Sequence, residues 1–189
     1  MGRFKKAEVR DMPKPSRLAD HEVLIRVKAA GINPIDYKIV QGKVQKIIRY
    51  KKPQILGLDV CGVVESVGSS VRSVKKGDEI IAMVNKRKLG SLAEFVAVGE
   101  QYLALKPKSW SWTEGASIPL AAITAWQSIV KRGNIKSGDK VLIHAGSGGV
   151  GSFAIQIAKS LGAFVATTTS KKNHDLVKSL GAEDRKSTR

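Results

Sequence analysis

The glycine-rich segment Gly146–Gly151 constrains the fold of this chain more than any other feature. It follows the short apolar stretch Lys140–Ala145 and opens Gly151–Leu161, whose apolar residues recur at helical spacing. A strand, a glycine turn and a helix in this order begin a βαβ unit that binds a dinucleotide, because glycines let the backbone approach a pyrophosphate and the helix N-terminus offers free N–H groups. The alternative is a glycine turn with only a packing role. The residues predicted to bind the dinucleotide are Gly146, Ser147, Gly148, Gly149, Val150 and Gly151.

The predicted helix ends at Gly162. The segment that follows it indicates which dinucleotide is bound. Phe164–Thr168 is predicted to be a second strand, and His174–Leu180 a second helix. NAD-binding units usually carry Asp or Glu about 20 residues after the glycines, to bind the ribose 2′-hydroxyl, but no acid precedes Asp175 here. A hydroxyl and two lysines suit a 2′-phosphate, so we predict NADPH rather than NADH; alternatively, the lysines only form a solvated helix start. The residues predicted to contact this phosphate are Ser170, Lys171, Lys172 and Asn173.

The first half of the chain has the pattern of a β domain. Short segments of alternating polar and apolar residues, separated by turn signals, predict strands of a small barrel-like domain. They are Glu22–Ala29, Val60–Val67, Glu79–Val84 and Leu92–Val98. Thr113–Val130 then has helical periodicity, which Pro119 interrupts. We therefore predict a β domain over residues 1–112 and a dinucleotide-binding domain over 113–183.

Composition narrows the function classes. The 33 Lys and Arg residues against 16 Asp and Glu give a net charge of +17, but they occur in scattered pairs without interleaved aromatic residues. This favours an enzyme with a basic surface and an anionic cofactor over a nucleic-acid-binding protein. The one cysteine, Cys61, excludes an internal disulfide and a four-cysteine zinc site, and is expected in the core. No apolar run predicts a membrane span. A cytoplasmic location is expected, with an organelle left open.

Several separated stretches resemble the medium-chain dehydrogenase/reductase superfamily, and more closely its quinone oxidoreductase branch. They are Val27–Asp36, Gly57–Gly68, Gly90–Val96, Ile118–Trp126 and His144–Gly151. The resemblance implies an α/β plus β fold, in which a GroES-like β-barrel domain precedes the first part of a Rossmann domain. It also implies a homodimer of the full-length protein.

The resemblance also indicates whether the chain has the ligands of a zinc site. Zinc alcohol dehydrogenases of this superfamily carry Cys-His where this chain has Asn33–Pro34, and Gly-His-Glu where it has Gly57–Leu58–Asp59. Asparagine, proline and leucine are not zinc ligands, so no metal is predicted. The histidines do not supply a site, since His21 is expected in a loop, His144 in a buried strand as a hydrogen-bonded core residue, and His174 in the last helix.

By resemblance, the activity is hydride transfer from NADPH to a quinone or to the β-carbon of an enone, without zinc. The candidate catalytic residues are Asn33, Asp36, Tyr37 and Lys38, and Thr124 matches a position near the nicotinamide. Asn33 would hold the cofactor or the acceptor oxygen, and Tyr37 or Lys38 would donate a hydrogen bond to a developing enolate. Alternatively, Asn33 is a turn residue, Tyr37 packs, and Lys38 is an exposed helix charge. Competing functions are an enoyl-thioester reductase, an RNA-binding protein and a non-catalytic partner-binding protein.

The chain is shorter than members of this superfamily. The family's first strand and the later part of its doubly wound sheet have no counterpart here, so we expect a fragment that ends after the second helix and is inactive alone. The terminal hexapeptide, residues 184–189, is expected to be non-native. One reading frame of a sequencing adapter encodes the same six residues, Asp-Arg-Lys-Ser-Thr-Arg.

Overall fold

The computed structural model describes residues 7–44, 48, 50 and 53–187, with the backbone alone for the last four of these. The chain divides into two compact units, Met1–Leu120 and Ala121–Arg189.

The first unit is built on an antiparallel five-stranded sheet. Its strands are β1 (Glu22–Gly31), β2 (Asp59–Val67), β3 (Glu79–Met83), β4 (Phe95–Gly99) and β5 (Leu103–Leu105). Their order in the sheet is β4-β1-β2-β3-β5. Alternate residues such as Val23, Ile25, Val60 and Ile80 are fully buried, as expected when one face of a sheet covers a core. The predicted small β domain is confirmed, although β4 begins at Phe95 rather than Leu92.

Two helices accompany this sheet. Helix α1 (Pro34–Val40) begins with proline at its first position, where the missing N–H costs nothing. Helix α2 (Trp112–Ser117) begins with a capping box between Ser111 and Glu114. Because α2 packs against β1, β2 and β3, it belongs to the first compact unit. The division after Leu120 therefore lies beyond the predicted boundary at residue 112.

The second unit contains a parallel sheet with the order β6-β7-β8. Its strands are β6 (Lys140–Ile143), β7 (Phe164–Thr169) and β8 (Asp184–Ser187), and its helices are α4 (Gly149–Ser160) and α5 (His174–Ser179). Helix α3 (Pro119–Trp126) crosses the division and continues as a π-helical segment, Gln127–Arg132. The core lies between α4, α5 and the sheet, where Ile155, Val165 and Val177 are fully buried.

The structure corrects two predictions in this unit. Strand β6 ends at Ile143 instead of Ala145, because the backbone of Ala145 adopts a left-handed conformation with φ 56° that ends the extended segment. Two strands of this sheet were predicted from the sequence, and the structure has a third. Residues 184–187 pair in parallel with β7 from Ala166 to Thr169, since backbone hydrogen bonds do not require apolar side chains.

No helix among the described residues is long and apolar enough to cross a membrane.

Candidate functional site

The glycine loop connects β6 to α4, and its glycines serve two different purposes. A Cβ atom on Gly146 would lie 2.0 Å from Thr167 Oγ1, and one on Gly151 would lie 2.3 Å from the carbonyl oxygen of Ala145. These two positions therefore exclude any side chain by packing. Gly148 and Gly149 are exposed, and a Cβ on Gly149 would meet nothing closer than 3.9 Å. A Cβ on Gly148 would lie 3.2 Å from the carbonyl oxygen of Ala145, so Gly149 is the position of this pair that leaves the outer side of the loop open.

The N-terminus of α4 fits a pyrophosphate. Gly148 is the N-cap residue and supplies no side-chain hydrogen bond to this 12-residue helix. The first-turn N–H groups of a helix have no intrahelical partners, and the helix dipole adds partial positive charge at this end. An exposed, glycine-lined helix start without a side-chain cap is the arrangement that binds phosphate.

Three consecutive threonines at the end of β7 hold the glycine loop in place. The buried Thr167 donates from Oγ1 to the carbonyl oxygen of Ile143 at 2.6 Å. Thr168 Oγ1 accepts from the Ala145 N–H at 3.1 Å, and Thr169 Oγ1 donates to Ser147 Oγ at 2.8 Å. Thr167 and Thr168 were predicted to lie in the strand Phe164–Thr168, which ends before Thr169, and the role of all three threonines was not predicted. The signal was the run of hydroxyl residues at the carboxyl end of a strand beside the glycine turn.

His144 corrects one prediction. It is exposed rather than buried, because it follows the last residue of β6. Its Nδ1 lies 3.2 Å from Thr168 Oγ1, within hydrogen-bonding distance. The ring therefore belongs to the contacts around the loop and not to the core.

The segment predicted to bind a 2′-phosphate lies directly after β7. Ser170 precedes a short 3₁₀ turn, and Lys171 and Lys172 in that turn are exposed. Asn173 Nδ2 donates to Ser147 Oγ at 3.0 Å. Asn173 thus supports the glycine loop, whereas the two lysines extend into solvent beside it.

The second group of site residues lies in the first unit, where Asn33 precedes α1. The backbone N–H of Asn33 donates to Asp36 Oδ2 at 2.8 Å. Its side-chain Nδ2 donates to Asp59 Oδ2 at 2.9 Å, and Asp59 Oδ1 accepts from the Leu120 N–H at 2.9 Å. Asp59 therefore joins the starts of three elements, β2, α1 and α3.

Both carboxylates of this cluster are buried. Asp36 is 3% exposed and Asp59 is 1% exposed. Burial raises the pKa of Asp59 to about 6, the hydrogen bonds from Asn33 and Leu120 oppose this, and the negative charge of Asp36 adds to it. Within the described part of the chain, Asp36 Oδ1 has no hydrogen-bond partner. The cluster thus concentrates negative charge in a place that water does not reach.

The structure separates the four predicted catalytic residues. Asn33 and Asp36 meet in the carboxylate cluster, whereas the side chain of Tyr37 is 51% exposed and Lys38 is also exposed, on the solvent side of α1. From the sequence, Asp59 was considered only as part of Gly57–Leu58–Asp59, and its contact with Asn33 was not predicted.

Thr124 lies on α3 and is exposed. The described residues contain no group of three or more His, Cys, Asp or Glu that could hold a metal ion.

Comparisons with known proteins agree with this architecture. The family of alcohol dehydrogenase GroES-like domains matches residues 19–108. A 2-methylene-furan-3-one reductase from Solanum lycopersicum is 42% identical over 174 residues, which are 88% of this chain and 44% of that protein. An NADPH-dependent alkenal/one oxidoreductase from the chloroplast of Arabidopsis thaliana is 44% identical over 174 residues, which are 88% of this chain and 45% of that protein.

A solved structure extends the likeness to both units. The quinone oxidoreductase from Coxiella burnetii aligns with a TM-score of 0.82 and 38% identity, covering 95% of this chain and 57% of that protein. The chain spans about half the length of the curated relatives it matches. Residues 19–108 thus match the GroES-like domain of alcohol dehydrogenases, and both units are similar to members of the medium-chain dehydrogenase/reductase superfamily that are named quinone and alkenal oxidoreductases.

Proposed function

We propose that the protein containing this chain is an NADPH-dependent reductase that transfers hydride to quinones or α,β-unsaturated carbonyl compounds without zinc. The observation that carries the proposal is the exposed N-terminus of α4. This helix begins at Gly149, and its N-cap residue, Gly148, provides no side-chain cap. The relatives' names support the substrate class, since an alkenal/one oxidoreductase and a 2-methylene-furan-3-one reductase are both named for conjugated carbonyl compounds.

The second unit would hold the cofactor. The N–H groups of Gly149 and Val150 would bind the pyrophosphate, and the hydroxyl of Ser170 with the ammonium groups of Lys171 and Lys172 would bind the 2′-phosphate. The exposed position of both lysines and the lack of an acidic residue in this turn support NADPH over NADH. Bound there, the nicotinamide supplies the hydride.

The first unit would serve the electron acceptor. Hydride addition to the β-carbon of an enone leaves an enolate, which needs one proton to complete the reduction. The exposed Tyr37 hydroxyl and Lys38 ammonium group are donors that would stabilise this anion and deliver the proton. Asn33 and Asp36 would fix the start of α1, which carries both donors.

The zinc-free mechanism rests on residue type. Asn33, Pro34 and Leu58 occupy the positions of three residues in the zinc enzymes' motifs, and none of their side chains is a zinc ligand. Proton donors of the protein would therefore supply the charge stabilisation that a Lewis acid supplies in those enzymes.

NADPH oxidation at 340 nm tests the proposal, using the full-length protein with 1,4-benzoquinone and a short enone as acceptors and NADH as the cofactor control. We expect turnover with both acceptors and a clear preference for NADPH. Tight NADPH binding without turnover on either acceptor would contradict the reductase assignment. Addition of a zinc chelator should leave the rate unchanged.

A homodimer and a cytoplasmic location complete the proposal. Light scattering of the full-length protein should give twice the mass of one chain. Cell fractionation should recover the protein with cytoplasmic markers, and recovery in an organelle would contradict that location.

A further inference from the structure

Ser147, the second residue of the glycine loop, receives two side-chain hydrogen bonds. Thr169 Oγ1 donates to Ser147 Oγ at 2.8 Å, and Asn173 Nδ2 donates to the same oxygen at 3.0 Å. A serine hydroxyl has two acceptor lone pairs and one hydrogen. Because both lone pairs are occupied, Ser147 can form a further hydrogen bond only as a donor.

The burial of Thr169 fixes the direction of its hydrogen bond. Thr169 is 3% exposed, and of the residues that the structure describes, only Ser147 accepts from its hydroxyl. If Ser147 donated instead, the hydrogen of Thr169 would be buried without an acceptor, which folded proteins avoid. Ser147 itself is half-buried, and no residue in the described part of the chain accepts from its hydroxyl. Its hydrogen is therefore left for water or for a ligand that accepts.

The two donors also place Ser147 beside the turn proposed to hold the 2′-phosphate. Thr169 is the last residue of β7, and Asn173 is the last residue of the 3₁₀ turn that follows. Ser147 Oγ is thus bonded to the residues on either side of segment 170–172, which carries the proposed 2′-phosphate ligands. The N–H groups proposed to bind the pyrophosphate lie further along the chain, at the start of α4 after Gly148. The position of the Ser147 hydroxyl therefore favours the 2′-phosphate over the pyrophosphate.

We propose that the Ser147 hydroxyl donates to the 2′-phosphate of NADPH, and that Thr169 and Asn173 are positioning residues that leave this hydroxyl only a donor role. The inference rests on the proposed function and adds to its 2′-phosphate site a group from the glycine loop. A phosphate accepts a charge-assisted hydrogen bond, whereas the ribose 2′-hydroxyl of NADH would accept a weaker, neutral one. Ser147 would therefore contribute to the preference for NADPH. Asn173, predicted from the sequence as a phosphate ligand, would act through Ser147 instead.

A matched pair of ligands tests the inference by binding alone. 2′-Phospho-ADP-ribose and ADP-ribose both lack the nicotinamide and differ only in the 2′-phosphate. In calorimetric titrations of the full-length protein, we expect Ser147→Ala to weaken the binding of 2′-phospho-ADP-ribose about tenfold, the value of one charge-assisted hydrogen bond. The binding of ADP-ribose should change much less, so the preference for the phosphorylated ligand should fall. Ser160→Ala, which removes an exposed hydroxyl at the other end of α4, should keep the preference of the unaltered protein.

Substitutions of Thr169 test the positioning role, because this buried side chain acts on the ligand only through Ser147. Thr169→Val removes the hydrogen bond to Ser147 and frees its hydroxyl to turn, so the preference for 2′-phospho-ADP-ribose should fall about threefold. Thr169→Ser keeps the hydroxyl and should restore the preference. In a protein that already carries Ser147→Ala, Thr169→Val should not change the preference further. A merely structural role of Thr169 would weaken both ligands alike and leave the preference unchanged.

The same titrations separate the possible failures. If 2′-phospho-ADP-ribose does not bind the unaltered protein, the proposed function itself fails. If it binds, but Ser147→Ala weakens both ligands equally, the hydroxyl faces the pyrophosphate, and the inference is overturned while the proposed function stands. An unchanged preference in Ser147→Ala also overturns it, since Asn173 would then present its amide oxygen and accept from Ser147. Should Thr169→Val not fold, Ser147→Ala decides, because it alters a half-buried residue of the loop.

Discussion

The two candidate sites are supported by opposite kinds of chemistry. In the first unit, Asn33 is held by Asp59, a buried carboxylate with Asp36 nearby. In the second unit, the glycine loop is held by neutral threonine hydroxyls and by close packing at Gly146 and Gly151. The support of Asn33 depends on the ionisation of the Asp59 carboxylate. The support of the glycine loop depends on the small volume of Gly146 and Gly151. Changes of pH should therefore act on the Asn33 cluster, and added methyl groups on the glycine loop.

The largest effect is expected from Gly151→Ala. Its Cβ would lie 2.3 Å from the carbonyl oxygen of Ala145, and backbone cannot move aside as a flexible side chain can. Overpacking of this kind should lower the free energy of unfolding by about 3 kcal/mol, measured by urea denaturation of the full-length protein. Gly149→Ala is the matched control. It should keep the stability, because its Cβ would meet only the Cβ of Ala121 at 3.9 Å, an ordinary van der Waals contact, but weaken NADPH binding; equal loss of stability in both variants would contradict the division of roles.

The second prediction, with a smaller effect, is that the pH dependence of the free energy of unfolding comes from Asp59 in the first unit and not from the glycine loop of the second. The ordinary pKa of an aspartate is 3.8, and burial raises that of Asp59 to about 6. The folded protein keeps this proton to a higher pH than the unfolded chain does. The resulting stabilisation is complete below the unfolded pKa and is lost as pH rises through about 6.

Between pH 4 and pH 8, the free energy of unfolding should therefore fall by about 2 kcal/mol more in the unaltered protein than in Asp59→Asn. Urea denaturation at both pH values measures the difference. Thr167→Val, a change in the other unit, should leave the pH dependence of the unaltered protein intact. Parallel pH profiles for the unaltered protein and Asp59→Asn would show that this carboxylate does not titrate as described.

The third prediction concerns cofactor choice. Replacing both Lys171 and Lys172 by alanine removes two exposed cations beside the proposed 2′-phosphate site. The dissociation constant for NADPH should rise about tenfold, while that for NADH should stay the same. The paired change of Lys75 and Lys76 to alanine, in the first unit, is the matched control for net charge and should affect neither constant. If the affinity for NADH falls together with the affinity for NADPH, the substitutions have a general effect on the loop.

The smallest effects should come from the threonines. Thr167→Val removes a buried 2.6 Å hydrogen bond to Ile143 and should cost about 1 kcal/mol of unfolding free energy. Thr168→Val removes the bond to the exposed Ala145, where water can replace it, and should cost only a few tenths of a kcal/mol. Hydrogen exchange of the loop amides measures both. Equal losses would mean that burial does not set the strength of these contacts.

The sequence was informative wherever neighbouring residues decide the structure. The order of strand, glycine turn and helix from β6 to α4 follows from local apolar spacing and glycine content, and it was predicted within about two residues. The contact between Asn33 and Asp59 joins residues 26 apart. It depends on the register that places Gly31 opposite Asp59, which no local pattern specifies. The burial assigned to His144 failed because strand ends are poorly marked in an apolar run.

The binding of NADPH to the glycine loop is the claim on which the account depends most. Calorimetric titration of the full-length protein with NADPH, and separately with NADH, tests it without requiring an electron acceptor. We predict saturable binding of one NADPH per chain and binding of NADH that is about tenfold weaker. The absence of heat from both titrations, with no displacement by 2′-phospho-ADP-ribose in a competition assay, would contradict the account, because the uncapped start of α4 would then bind no dinucleotide.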